Sequence, residues 1–145
     1  MEFKEAVTIC LTKKYCCFKG RASRSEFWWF CLFTLLIQIA VTIVGKILPA
    51  MASIISAVLG LWLLLPTLGI STRRLHDRNF SGWWQVLPLA AVLPAVAGAV
   101  LEADWLLMLA GCAAGLASLG LLIFYALKGT AGPNRYGPDP LDGSG

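Results

Sequence analysis

Charged residues are scarce in this sequence. They make up 14% of its 145 residues, while 58% are hydrophobic; a soluble domain carries about 25% charged residues. A chain this short has too little interior to hide so much apolar surface from water, which excludes an ordinary soluble globule. Lipid is the solvent that the composition requires. Histidine is nearly missing, with His76 the only one, and that excludes multi-histidine metal centres. G-x-x-x-x-G-K, G-x-S-x-G and H-E-x-x-H are absent, so three common catalytic chemistries have no carrier. No catalytic residue, metal or cofactor is therefore assigned, and the net charge of +4 is too mild to call for a nucleic-acid partner.

Cysteine is present but unpatterned. The five thiols, Cys10, Cys16, Cys17, Cys31 and Cys112, are odd in number and form no C-x-x-C. Cys31 and Cys112 lie inside apolar stretches, where cysteine behaves as a small hydrophobe. The vicinal pair Cys16-Cys17 is read as reduced and inert. No cleavable signal peptide is expected, because the first apolar run begins only near Phe27, after a long charged lead.

Four stretches read as membrane spans: residues 27–48, 51–70, 83–101 and 105–127. Each has about 20 residues, enough for a helix to cross a hydrocarbon core of about 30 Å. A helix satisfies its own backbone in lipid, and the alternating period of a barrel is absent. Tryptophans stand at the span ends (Trp28, Trp29, Trp83, Trp84, Trp105), where amphipathic rings favour the headgroup level. The expected fold is an all-α integral membrane protein of one domain. Its four transmembrane helices form a compact bundle, with a short interfacial amphipathic helix over Glu2–Tyr15.

Orientation follows from the basic residues. Eleven of the twelve lie before the first span, between the second and third, or after the fourth; only Lys46 lies on the other side. The positive-inside rule then puts segments 1–26, 71–82 and 128–145, with both termini, in the cytoplasm. Small residues at Gly111 and Gly115, and at Ala91, Ala95 and Ala99, predict close helix packing, within one chain rather than between copies. Pro66, Pro88 and Pro94 should kink their spans. Gln38, the one strongly polar residue deep in a span, is expected to hydrogen-bond a neighbouring helix.

Three polar clusters share the predicted cytoplasmic side. The first runs from Gly20 through Arg21, Ser23, Arg24 and Glu26 to Trp28-Trp29. The second is Arg73-Arg74-Leu75-His76-Asp77-Arg78 with Ser81-Gly82-Trp83-Trp84, and the third is Lys128-Gly129-Thr130 with Gly132-Pro133-Asn134-Arg135-Tyr136-Gly137. Each has a structural reading. Ser23-x-x-Glu26 fits a capping box, Arg73 and Asp77 are spaced to pair on a helix, and Ser81 fits an N-cap. The arginines also serve as topology signals. The sharper reading is an anion site: arginine forks match phosphate, with Glu26 and Asp77 orienting them and Trp83 and Trp84 fixing depth. His76 beside Asp77 can titrate near neutral pH, but adjacent helical residues do not face each other, so a catalytic dyad is weak.

At these three blocks the chain resembles the bacterial inner-membrane proteins grouped as domain-of-unknown-function family 805. The resemblance rests on Phe18-Lys19-Gly20-Arg21-Ala22-Ser23-Arg24-Ser25-Glu26-Phe27-Trp28-Trp29, on Arg74-Leu75-His76-Asp77-Arg78-Asn79 with Ser81-Gly82-Trp83-Trp84, and on the third block. It implies a small multi-pass protein of the bacterial inner membrane and no assigned activity.

The leading functional expectation is a non-enzymatic membrane protein whose cytoplasmic face holds an anionic phospholipid headgroup or an acidic partner. Its candidate ligand residues are Arg21, Arg24, Glu26, Arg73, Arg74, His76, Asp77, Arg78, Trp83, Trp84, Asn134 and Arg135. The alternatives are a small channel or transporter, which would have to be a homo-oligomer, and an enzyme acting on a lipid headgroup, the minority reading.

Overall fold

The computed structural model describes residues 1–141. Among them four helical stretches are long and apolar enough to cross a membrane: Arg24–Ile47, Pro49–Asp77, Gly82–Val100 and Asp104–Ala126. Large apolar side chains such as Leu61, Leu93 and Leu116 stand exposed along them. Lipid, not protein, covers most of the surface of each span.

The chain opens with α1 (Phe3–Thr8), which runs into a π-helical turn at Ile9–Lys13. Glu2 and Glu5 cap α1 reciprocally. Ala6 and Cys10 are fully buried, and the Phe3 ring meets Trp29 edge-on at 5.7 Å. The predicted interfacial helix is thus bound to the first turns of the first span.

Ser23 caps α2 (Arg24–Ile47) by accepting from the Glu26 N–H at 3.2 Å. Leu48 leaves the helical conformation, and Pro49, whose missing N–H costs nothing at a helix start, begins α3 (Pro49–Asp77). A Cβ on Gly45 would lie 3.3 Å from that of Ala52, so the two helices diverge from a tight corner. α3 continues through Pro66 and does not end at residue 70 as expected. Residues 71–77, beyond the expected span and spaced for a helical continuation, are its last two turns. No breaker stands between Ile70 and Asn79, which takes positive φ (63°) beyond the helix end.

The third span departs from the expected single helix. A 3₁₀ stretch at Gly82–Ala91 leads into α4 (Val92–Val100). Pro88 lies inside the 3₁₀ stretch and Pro94 in the first turn of α4, where its missing donor is tolerated. Ser81 caps the 3₁₀ stretch through the Trp83 N–H at 3.4 Å, as its position predicts. After a turn at Glu102 (φ 51°), α5 (Asp104–Ala126) returns the chain, with Gly98 packed close to Leu107.

The buried core is displaced to one end of the bundle. Cys10, Ala22, Phe27, Phe30, Ile70, Leu75 and Tyr125 form it, beside the start of α2 and the ends of α3 and α5. The small-residue face of α5 is not part of it. Gly111 and Gly115 are exposed, and a Cβ on either would meet nothing within 4 Å. Of the small residues expected to pack, Ala110 is turned inward with Tyr125 and Ala114 is half-buried, while the two glycines face outward.

Candidate functional site

Buried charge concentrates at that same end. Helical geometry sets Arg73 and Arg74 about 100° apart around α3, so the two guanidinium groups enter different surroundings. Arg73 turns toward α2 and pairs with Glu26, with the Cys10 thiol beside both. Arg74 turns toward α5. It donates to the carbonyls of Tyr125 (2.9 Å), Leu127 and Ala22 and to the carboxylate of Asp77. Both arginines are 1% exposed.

Asp77 is shared. Its other oxygen accepts from Arg21 Nε at 2.9 Å, so one carboxylate balances two buried guanidinium groups. The remaining Arg21 nitrogens donate to the carbonyls of Thr130 and Gly132, and Asp139 lies 3.9 Å away. Thr130 donates to the Asp77 carbonyl from both its N–H and its hydroxyl, each at 2.9 Å. A Cβ on Gly129 would lie 1.9 Å from Asp77 Oδ2. Only glycine lets the backbone pass so close to that carboxylate.

The C-terminal segment folds over this cluster. Asn134 donates to the His76 carbonyl at 2.9 Å, and the Tyr136 ring stacks on His76 with centroids 3.8 Å apart. His76 Nδ1 lies 3.1 Å from the Gly20 carbonyl. Asp139 accepts from the N–H groups of Leu141 and Gly132, which hold its carboxyl below the ordinary range.

These placements revise several pairings read from sequence. Asp77 pairs with Arg74 rather than Arg73, since Glu26 claims Arg73 from the neighbouring helix. Glu26 therefore does not close a capping box, although Ser23 makes its half. His76 and Asp77 form no dyad; each faces different partners. The three clusters do converge, and Arg21, Glu26, Arg73, Arg74, His76, Asp77 and Asn134 are brought together. Arg78 and Arg135 sit outside, donating to the carbonyls of Lys128 and Asn79, with the Arg78 guanidinium 4.7 Å over the Phe124 ring. Trp83 is 81% exposed and Trp84 half-exposed, on the bundle's flank.

Arg24 is exposed and, among the described residues, pairs with no carboxylate; the same holds for Lys128. They line a cavity of about 240 Å³ with Ser23, Thr130 and Asp139. A second hollow continues from Arg24 past Ser25 and Trp28 to Ala126. Lys128, Thr130 and Asp139 were not among the candidate site residues. Only the compact spacing of the block after the last span hinted at them, and each has a partner 50 or more residues away.

Four apolar helical spans, held at one end by buried arginine–carboxylate pairs, define a small multi-pass membrane protein. No solved structure matches it. A profile described as "Protein of unknown function (DUF805)" matches residues 15–138, and the chain belongs to that family. Three relatives from Escherichia coli (strain K12) align along most of their length. Inner membrane protein YhaI is 32% identical, covering 94% of this chain and 96% of the relative. Inner membrane protein YhaH is 30% identical, covering 88% and 90%. Uncharacterized protein YiiR is 34% identical, covering 86% of each.

Proposed function

We propose that this is a protein of the bacterial inner membrane that holds an anionic phospholipid headgroup at its cytoplasmic end, without catalysing a reaction. The naming of YhaI and YhaH as inner membrane proteins supports the location. The orientation is supported by the bias of basic residues toward the end that bears both termini. Cys16, which is exposed at that end, gives a direct check. A membrane-impermeant maleimide is expected to label it in inside-out vesicles and not in intact spheroplasts. Cys112, inside α5, stays unreactive where no water forms the thiolate. Labelling in spheroplasts would reverse the topology.

The observation that carries the headgroup reading is the pair Arg24 and Lys128 at the mouth of one cavity, beside the N-terminus of a 24-residue helix. Neither forms a salt bridge among the described residues, although the Asp139 carboxylate shares their cavity, whereas Arg21, Arg73 and Arg74 are spent inside the protein. A phosphate there meets two cations and the first-turn N–H groups of α2 that Ser23 leaves uncapped, against the repulsion of the Asp139 carboxylate on the same lining. The hollow along Trp28 gives an acyl chain a path toward the bilayer.

The experiment is native mass spectrometry of the protein released from its own membrane, wild type beside the double variant Arg24→Ala, Lys128→Ala. The expected result is an anionic lipid retained by the wild type and lost roughly tenfold or more in the variant, as for two charge-assisted contacts. Equal retention in both would sink this reading. Arg74→Ala is a poor probe, since its removal disturbs the fold itself.

A further inference from the structure

Gln38 stands near the middle of α2, 11 residues beyond Phe27 and 10 before Leu48. At 1.5 Å per residue its amide lies about 15 Å from either end of that apolar stretch. A glutamine side chain is too short to carry its amide to the headgroups from that depth. Gln38 is exposed on the single chain, and no described residue pairs with its carboxamide. The hydrogen bond made at this residue uses its backbone carbonyl, which accepts from Thr42 at 2.8 Å. Lipid tails offer no donor or acceptor, so an amide left there alone is costly. The expected bond to a neighbouring helix of the same chain does not form.

The surroundings of Gln38 are built to receive something. A groove of about 340 Å³ between α2 and α3 passes it, lined by Thr34, Ser56, Gly60 and Thr67. Ser56, Gly60 and Thr67 are all exposed, and a Cβ on Gly60 would meet nothing within 4 Å. Gln38 and these hydroxyls therefore share one hollow with a glycine that allows close backbone approach.

We infer that a second copy of this chain covers the groove, forming a symmetric dimer in which the two Gln38 carboxamides hydrogen-bond each other. Two facts select this occupant. A carboxamide is donor and acceptor at once, so it complements itself. Copies inserted in the same orientation are related by a two-fold axis along the membrane normal, which sets any residue at the depth of its counterpart. A different membrane protein would need its own polar group at that same depth. Gly60 and Ser56 then let α3 of each copy approach α2 of the other. The exposed glycines of α5 carry no polar group of this kind, so nothing assigns them an occupant. The dimer stands independently of the headgroup site, because the two lie at different depths and on different residues.

The test counts subunits by single-molecule photobleaching of the labelled full chain in liposomes over a range of protein-to-lipid ratios. Wild type is expected to pass from one-step to two-step bleaching as the ratio rises. Gln38→Leu should move that midpoint roughly tenfold toward higher protein, the scale of one or two interhelical hydrogen bonds in lipid. Gln38→Asn keeps a carboxamide and should stay nearer the wild type. Gly60→Ile fills the groove from the other helix and should weaken association as well. One-step bleaching of the wild type at every ratio would overturn the proposal. An unmoved midpoint in Gln38→Leu would overturn it too, and would point to another face.

Discussion

Asp77→Asn is expected to destabilise the protein by about 5 kcal/mol, near the upper end for breaking a buried ion pair. The reason is arithmetic of charge. Asp77 is the carboxylate shared by Arg21 and Arg74, and both guanidinium groups are buried. Asparagine keeps the shape and one acceptor but leaves two cations with no anion in contact among the described residues except Asp139, which lies 3.9 Å from Arg21 alone. Neither arginine can shed its proton to escape the cost. Thermal unfolding in a mild detergent reads the effect directly. A midpoint equal to wild type would mean that backbone carbonyls alone neutralise these arginines, and the shared carboxylate would lose its assigned weight.

Glu26→Leu is expected to cost about 3–4 kcal/mol for the same reason on the α1 side, because Arg73 stays charged and buried beside Cys10. Adding Arg73→Met should recover most of that loss. A methionine fills the volume, and the charge needing compensation is gone. Four unfolding curves, for wild type, the two single variants and the double, give the coupling between the residues. Additive losses would show that Glu26 and Arg73 act separately and that their contact carries no energy.

The contrast between these pairs and the sequence reading is instructive. Spans were legible because a run of about 20 apolar residues has few other uses. The convergence of three polar blocks followed from span number alone, since loops on the same side of a bundle meet. Ser23 was legible because capping is local. Partner choice was not. Spacing favoured Arg73 with Asp77, but Glu26, 47 residues earlier, takes Arg73 once α2 and α3 lie side by side. The second span was drawn only to Ile70 because charge begins at Arg73, but the spacing of Arg73 and Asp77 already suited the helical continuation that α3 makes. The third span was misread for the opposite reason: Pro88 and Pro94 were expected to bend one helix, and the backbone changes its winding instead. Gln38 was noticed for its polarity, but its exposure on the single chain could be seen only once α2 was packed.

The reach of Arg21 has a bearing on how the protein is made. Two of its acceptors, the carbonyls of Thr130 and Gly132, lie 109 and 111 residues later in the chain, and Arg74 waits for Tyr125 and Leu127. During synthesis Asp77 follows Arg74 closely, but both arginines emerge long before the carbonyls that complete their hydrogen bonds. Their hydrogen bonding is incomplete while the first three spans enter the membrane. They are withdrawn from water only after the last span has arrived. The same residues thus become fastenings only in the finished chain. A nascent chain cut short before residue 128 still has Asp77 but leaves Arg21 without two of the carbonyl acceptors it has in the finished protein.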